Sequence, residues 1–149
     1  MELADLAAGK AGEYLVCADL ILRGFTAFPT EQGLPYDVIM ADERNLYRVQ
    51  VKTTRQPQSI PQRKNRTDKY IFHVRRCGKG GRKNYADTDV DIFALVALDT
   101  KTIGYLRASE ARQTMFFLPE NGKVATKKRG GITLRGCRKL SELEWPTFL

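Results

Sequence analysis

The run Leu46-Tyr47-Arg48-Val49-Gln50-Val51-Lys52-Thr53-Thr54 reads as a strand, and the way its side chains alternate governs how the rest of the chain is read. In a period-2 strand Val49 and Val51 share one face while Gln50 and Lys52 share the other, so a polar pair is displayed from an apolar support. Upstream, Asp37 follows Pro35-Tyr36 in a second short run, Tyr36 to Ala41, with Asp42-Glu43-Arg44-Asn45 as the turn between the two. Phe25 to Pro29 reads as one more strand, which makes an antiparallel meander of three. Adjacent strands lie about 5 Å apart, so Asp37 and the Gln50/Lys52 face can converge.

Before the meander, apolar side chains recur at helical spacing (Leu3, Leu6, Ala7, then Tyr14, Cys17, Ala18, Ile21 and Leu22) and stop at Gly24. This predicts an amphipathic helix from Glu2 to Arg23 with a glycine after its end. Glu13 sits in its middle and shares a face with Lys10, three residues earlier. After Lys52 the pattern breaks between Gln56 and Asp68 into a loop holding Pro57, Ser59, Pro61 and Asn65, with Arg55, Arg63, Lys64 and Arg66 as its cations. Loops of that length in compact domains are usually functional or disordered. Tyr70 to Arg75 reads as a strand, and Arg75-Arg76-Cys77-Gly78-Lys79-Gly80-Gly81-Arg82-Lys83 as a second basic loop. Its spacing is not that of a phosphate-binding loop. Asp91 to Leu98 and Thr102 to Leu106 read as buried strands about a turn at Asp99. Ala108 to Phe117 is expected to be a short helix with Ser109 as its cap. Lys123 to Arg138 suggests a basic hairpin around Gly130-Gly131 that carries Lys127, Lys128 and Arg129, and Trp145 is the anchor of the tail from Leu140 to Leu149. No repeat or linker divides the chain. Residues 1–149 therefore read as one domain, with basic loops near 55–68 and 75–85 and a basic extension near 119–149.

The whole chain has 149 residues, 42% hydrophobic and 28% charged, which suits a soluble globular protein. Its longest apolar stretches, such as Ile92 to Leu98, fall far short of a membrane span, and the acidic start lacks the basic flank of a signal peptide. A cytoplasmic protein, associated with the nucleoid through DNA, is the expectation. The formal charge of +8 and pI near 9.6 favour a polyanionic partner, because each neutralised phosphate releases condensed counterions. Three dispersed cysteines, Cys17, Cys77 and Cys137, and the single His73 have no zinc-site spacing. A Cys77/His73 nucleophile is the weaker alternative to His73 as an ordinary strand residue.

Phosphodiester hydrolysis needs a divalent cation on hard oxygen ligands, a group that activates or orients water, and positive charge for the developing phosphorane. Asp37, Gln50, Lys52 and the peptide carbonyl of Val51 suit those needs. The order acid, short gap, polar-x-Lys resembles the PD-(D/E)XK nuclease superfamily, with Gln50 where the pattern usually has Asp or Glu. Tyr85-Ala86-Asp87-Thr88-Asp89-Val90-Asp91-Ile92-Phe93, the strand through Leu98 and Ile103-Gly104-Tyr105-Leu106 look like the second half of a small family within it. That family includes a group I intron-encoded homing endonuclease from cyanobacteria, and the likeness covers residues 2 to about 118.

The resemblance implies an α/β restriction-endonuclease-like core with a central mixed sheet flanked by helices. It also implies magnesium-dependent cleavage of double-stranded DNA, manganese as a substitute ion, and a homo-oligomer, dimer or tetramer. Carried over by position, Asp37 holds metal, Gln50 is a second ligand, and Lys52 positions the attacking water and stabilises charge. The Gln50 amide brings no negative charge, and Glu13 on the first helix would restore two carboxylates. Glutamine also occurs at this position in related nuclease families, in hydrophobic-Gln-Val-Lys runs; an inactivated nuclease would carry the same change. Arg55, Arg63, Lys64, Arg66, Arg75, Arg76, Lys79, Arg82, Lys83, Lys127, Lys128 and Arg129 are the expected DNA contacts, with Gln58, Gln62, Asn65 and Asn84 as polar base readers. The expected function is a site-specific double-strand DNA endonuclease of intron homing. Its alternatives are a Holliday-junction-resolving nuclease and a nuclease-derived DNA-binding module that has lost catalysis. Tyr85 receives no role, and Asp91 is read as ordering the loop before a buried strand.

Overall fold

The computed structural model describes residues 3–60, 67–74, 89–122, 126–135 and 137–147, with backbone alone at 126–129 and 132–135. The chain opens with α1 (Asp5–Leu22), which ends at Arg23 and Gly24. Gly24 has φ 98°, and the bonds Gly24 N–H to Ile21 O and Phe25 N–H to Leu20 O close the helix in a Schellman-type turn. Three antiparallel strands follow: β1 (Thr26–Pro29), β2 (Val38–Ala41) and β3 (Leu46–Thr54). The expected meander is therefore present.

β3 then pairs in parallel with β5 (Ile92–Ala97), Val49 opposite Ile92 and Thr54 opposite Ala97, and β5 pairs antiparallel with β6 (Thr102–Arg107). The result is a five-stranded mixed sheet in the order β1-β2-β3-β5-β6. The expected α/β class with a central mixed sheet is borne out. A parallel pair requires a long crossover, and the segment between β3 and β5 supplies it, including β4 (Tyr70–His73).

α1 covers one face of the sheet, where Val16, Cys17 and Leu20 pack on Val38, Met40, Val49, Val51, Ile92, Ala94 and Val96. The expectation of helices on both faces is met differently among the described residues. The second face is covered by a small sheet of β4 and β7 (Thr114–Phe117), whose Tyr70, Phe72, Met115 and Phe117 pack on Phe93, Leu95 and Leu106. Every residue of β5 is buried because both of its faces are covered. Each large apolar side chain buried this way is worth about 1.5–3 kcal/mol over exposure.

Two readings of the sequence are corrected. Ala108 to Phe117 is not a helix: a single 3-10 turn at Ala108–Glu110 leads to β7, and Ser109 lies inside the turn rather than capping it. Pairing of Thr114–Phe117 with His73–Tyr70 overrides a weak local helical preference. The second correction concerns the buried face of α1. Leu6 and Leu22 are 90% and 87% exposed and Tyr14 and Ile21 are also exposed, whereas Ala8, Gly12, Val16, Cys17 and Leu20 are buried. The ridge of residues four apart that begins with two small side chains fits closest against the sheet, and shape prevails over hydropathy. The basic hairpin is present as β8 (Thr126–Arg129) and β9 (Ile132–Arg135). Trp145 is an anchor as expected, its ring 4.8 Å from Tyr105 and 5.7 Å from Phe25.

Candidate active site

The site is built where two strands part. β2 and β3 are paired as far as Val38 opposite Val49, and the Asp37 N–H still donates to Val49 O at 2.9 Å. The chain before Asp37 then turns away, held by Thr30 Oγ1 donating to Tyr36 O at 2.7 Å and by Thr30 N–H donating to Asp37 O. Beyond that point β3 has no β2 residue to satisfy its edge. The Asp37 carboxylate takes over, accepting from Val51 N–H at 2.8 Å. A strand residue's N–H and C=O face the same neighbour, so the Val51 carbonyl is presented on this same open edge.

Glu13, Asp37, Gln50, Val51 and Lys52 all line one cleft of about 620 Å³, with Thr53, Thr54, Arg55, Gln56 and Gln58 along its length. The structure thus brings together all five residues singled out from the sequence. Glu13 is mostly buried and is engaged by Lys10, whose Nζ lies 2.7 Å from Glu13 Oε2. Glu13 and Asp37 also form the wall of an adjoining recess toward Thr30, Glu31 and Gln32.

Burial raises the Asp37 carboxyl above its ordinary value; the Val51 N–H lowers it, the Glu13 charge raises it further, and Lys52 and Lys10 pull it down. Two carboxylates line one cleft, and the push of Asp37 toward protonation is one that a cation would relieve. Gln50 is only 9% exposed, and its Oε1 is buried with no hydrogen-bond donor among the described residues. An unsatisfied buried amide oxygen costs about 1–3 kcal/mol, so a cation or a water in the cleft would relieve it. Two carboxylates, one amide oxygen and one peptide carbonyl form a hard-oxygen donor set that fits a magnesium-like ion. Among the described residues no group of three or more His, Cys, Asp or Glu could hold a metal.

Other residues separate from the site. Asp91 is structural: its carboxylate accepts from Arg48 N–H at 2.8 Å and pairs with the Arg48 guanidinium at 3.1 and 3.2 Å, tying the start of β5 to β3. Burial alone would raise Asp91, but the Arg48 bonds outweigh it and hold the carboxyl below its ordinary value. Arg55 lines the cleft and is engaged by Asp5 at 2.8 Å and by Leu3 O. Arg63, Lys64, Arg66, Arg75, Arg76, Lys79, Arg82 and Lys83 lie outside the described residues, as do Cys77 and Tyr85, and Lys127, Lys128 and Arg129 are described by backbone only. His73 is exposed at the end of β4, opposite Thr114.

Sequence reasoning did not find the Asp37–Val51 bond, the threonines of the cleft or the engagement of Arg55. The first of these depends on where two strands diverge, for which the only local signal is Pro35 before Tyr36-Asp37.

Comparison with known proteins bears on the family and the fold. A family model described as PD-(D/E)XK endonuclease matches residues 5–130. Among solved structures, the bacterial homing endonuclease I-Ssp6803I superposes with a TM-score of 0.62 at 12% identity, over 87% of this chain and 85% of its own, a likeness of fold. No curated protein matches in sequence. With the family match spanning α1, the whole central sheet and every residue of the cleft, the chain belongs to the PD-(D/E)XK endonuclease family.

Proposed function

We propose that this protein is a divalent-metal-dependent, site-specific endonuclease acting on double-stranded DNA, with magnesium as its ion, manganese as a substitute, and intron homing as its role. The observation that carries the proposal is the buried Gln50 Oε1, without a donor among the described residues, in one cleft with Asp37 and Glu13. Asp37, Glu13, Gln50 and the Val51 carbonyl would hold the ion. Family members generally use a divalent cation, which supplies a Lewis acid for the scissile phosphate and an acidified water. Lys52 lines the same cleft and acts by orienting the water and offsetting charge on the phosphate as the P–O bond is attacked. Asp37 does double duty, because its bond to Val51 N–H fixes the carboxylate and holds the β3 edge in place.

Net charge of +8 supports a polyanionic substrate, and the cations of the two basic loops and the hairpin are its proposed contacts. The likeness to a homing endonuclease supports duplex DNA and homing over a junction substrate. The protein would act as a homo-oligomer, dimer or tetramer, presenting more than one site to its target. Gln50 itself favours a second reading, a DNA-binding module that has lost catalysis.

Cleavage of plasmid and linear duplex with magnesium tests the proposal. Wild-type protein is expected to cut; Asp37→Asn and Lys52→Ala are expected to retain DNA binding and to lose at least about a hundredfold in rate, the usual cost of one electrostatic stabiliser. Full cleavage by either variant would remove the cleft from the chemistry. A silent wild type that still binds duplex would establish the module instead, and preference for a four-way junction would replace homing with junction resolution.

A further inference from the structure

We propose that Gly12 and Thr53 form a steric keyway that sets the depth of α1 against β3, and so places the Glu13 carboxylate in the cleft. The two residues are adjacent to the site without belonging to its donor set. A Cβ added at Gly12 would overlap Thr53 Oγ1 and would sit 3.1 Å from Thr53 Cβ and 3.2 Å from its Cγ2. Gly12 is buried, and no smaller residue exists. The helix therefore lies at the closest approach that its sequence permits.

Glycine is a poor choice for the middle of an 18-residue helix on local grounds, since alanine is the better helix former. Thr53, by contrast, is an ordinary strand residue, β-branched and half-buried. Its hydroxyl oxygen is buried without a hydrogen-bond partner among the described residues. A mid-helix glycine that departs from the locally favoured residue, in contact with a stiff β-branched side chain, is explained if their joint shape is what matters. The residue that follows Gly12 is Glu13, which lines the same cleft as Asp37. Outward displacement of the helix is transmitted directly to Glu13, and misplacement on the order of 1 Å costs about a hundredfold in well-oriented sites.

Gly12 and Thr53 are thus positioning residues, and their effect on metal rests on the reading of the cleft as a metal site. Gly12→Ala should strengthen the helix locally while pushing it off the sheet, because χ1 of a packed β-branched threonine has little freedom to yield. Thr53→Ala removes both Oγ1 and Cγ2, leaving only the 3.1 Å contact, which a shift of a few tenths of an ångström relieves. The double variant Gly12→Ala/Thr53→Ala should therefore regain what the single variant loses.

Three measurements on the full chain test this: the crystal structure of each variant without metal, calcium or manganese affinity by calorimetry, and melting temperature. In Gly12→Ala, Glu13 is expected to move away from Asp37, and metal affinity to fall by about 10–100-fold, as for loss of a supporting contact. The double variant is expected to restore both. A Gly12→Ala structure with Glu13 unmoved would overturn the keyway whatever the metal does. A displaced Glu13 with unchanged metal affinity would overturn its link to the site. If the wild type binds no metal while the helix moves as described, the metal-site reading fails and the steric keyway stands. Should Gly12→Ala prove too unstable to study, failure of Thr53→Ala to rescue its melting temperature would count equally against the pair.

Discussion

Replacing Gln50 by a carboxylate asks whether the cleft is adapted to an amide or disabled by one. Gln50 is 9% exposed, its Oε1 meets no donor among the described residues, and it shares the cleft with Asp37, whose own carboxyl is already pushed toward protonation. Gln50→Glu adds one negative charge to this setting. At an effective dielectric of about 20, two unit charges about 5 Å apart, the spacing of adjacent strands, interact by about 3 kcal/mol. Without metal that energy is repulsive, so the introduced carboxyl should hold its proton well above the ordinary glutamate range and the metal-free variant should melt lower than wild type at pH 8. With a divalent ion the sign reverses, and affinity should tighten by up to about a hundredfold at pH 8, since each tenfold is about 1.4 kcal/mol. The gain should shrink toward acid pH as protons compete for the new group. Calorimetric titration with calcium and magnesium at pH 6 and 8, together with duplex cleavage by both proteins, measures all of this. An adapted site predicts an active wild type and a change in rate of less than about tenfold in the variant, far smaller than for Asp37→Asn. A disabled site predicts that Gln50→Glu switches cleavage on from silence. Metal affinity equal in the two proteins would refute the placement of Gln50 at the ion, whatever the activities.

Asp37 and Asp91 should respond to pH in opposite senses. The folded-state value of Asp37 is raised, so its ionised form weakens the metal-free fold at neutral pH; Asp37→Asn should melt higher than wild type there, with the difference vanishing as pH falls through the raised value to below the ordinary 3.8. A melting temperature that drops at pH 7 would contradict the burial argument. Asp91 is depressed by Arg48, so its stabilisation is complete above 3.8 and is lost as pH falls through its lower folded value. Asp91→Ala removes three hydrogen bonds, two of them to a guanidinium about one-third exposed, and should cost about 2–3 kcal/mol by urea unfolding. Metal affinity per folded molecule should be unchanged, and a drop of tenfold or more would show Asp91 to be part of the site rather than a brace.

Much of the candidate cleft was legible locally. The alternation Val49-Gln50-Val51-Lys52 follows from the period of a strand, the turn at Asp42–Asn45 from its residue types, and the position of Glu13 in the helix from its spacing to Lys10. The structure added what depends on two segments meeting. Hydropathy pointed α1 toward Leu6, Tyr14 and Leu22, yet the sheet received Ala8, Gly12, Val16 and Leu20, because the closeness of packing is a property of both surfaces together. Thr114–Phe117 became a strand only because Tyr70–His73, some forty residues away, offers it an edge, and an isolated segment of that length has no stable conformation of its own. Asp37 was recognisable as an acid near the right strand, but its bond to Val51 exists because β2 parts from β3 after Val49, and where paired strands diverge is written in neither strand alone. Local periodicity thus determined which residues share a face, since side-chain direction follows backbone geometry within a few residues. Which face is buried, and which carboxylates meet, was decided by tertiary packing, because those outcomes depend on the fit between surfaces far apart in the chain.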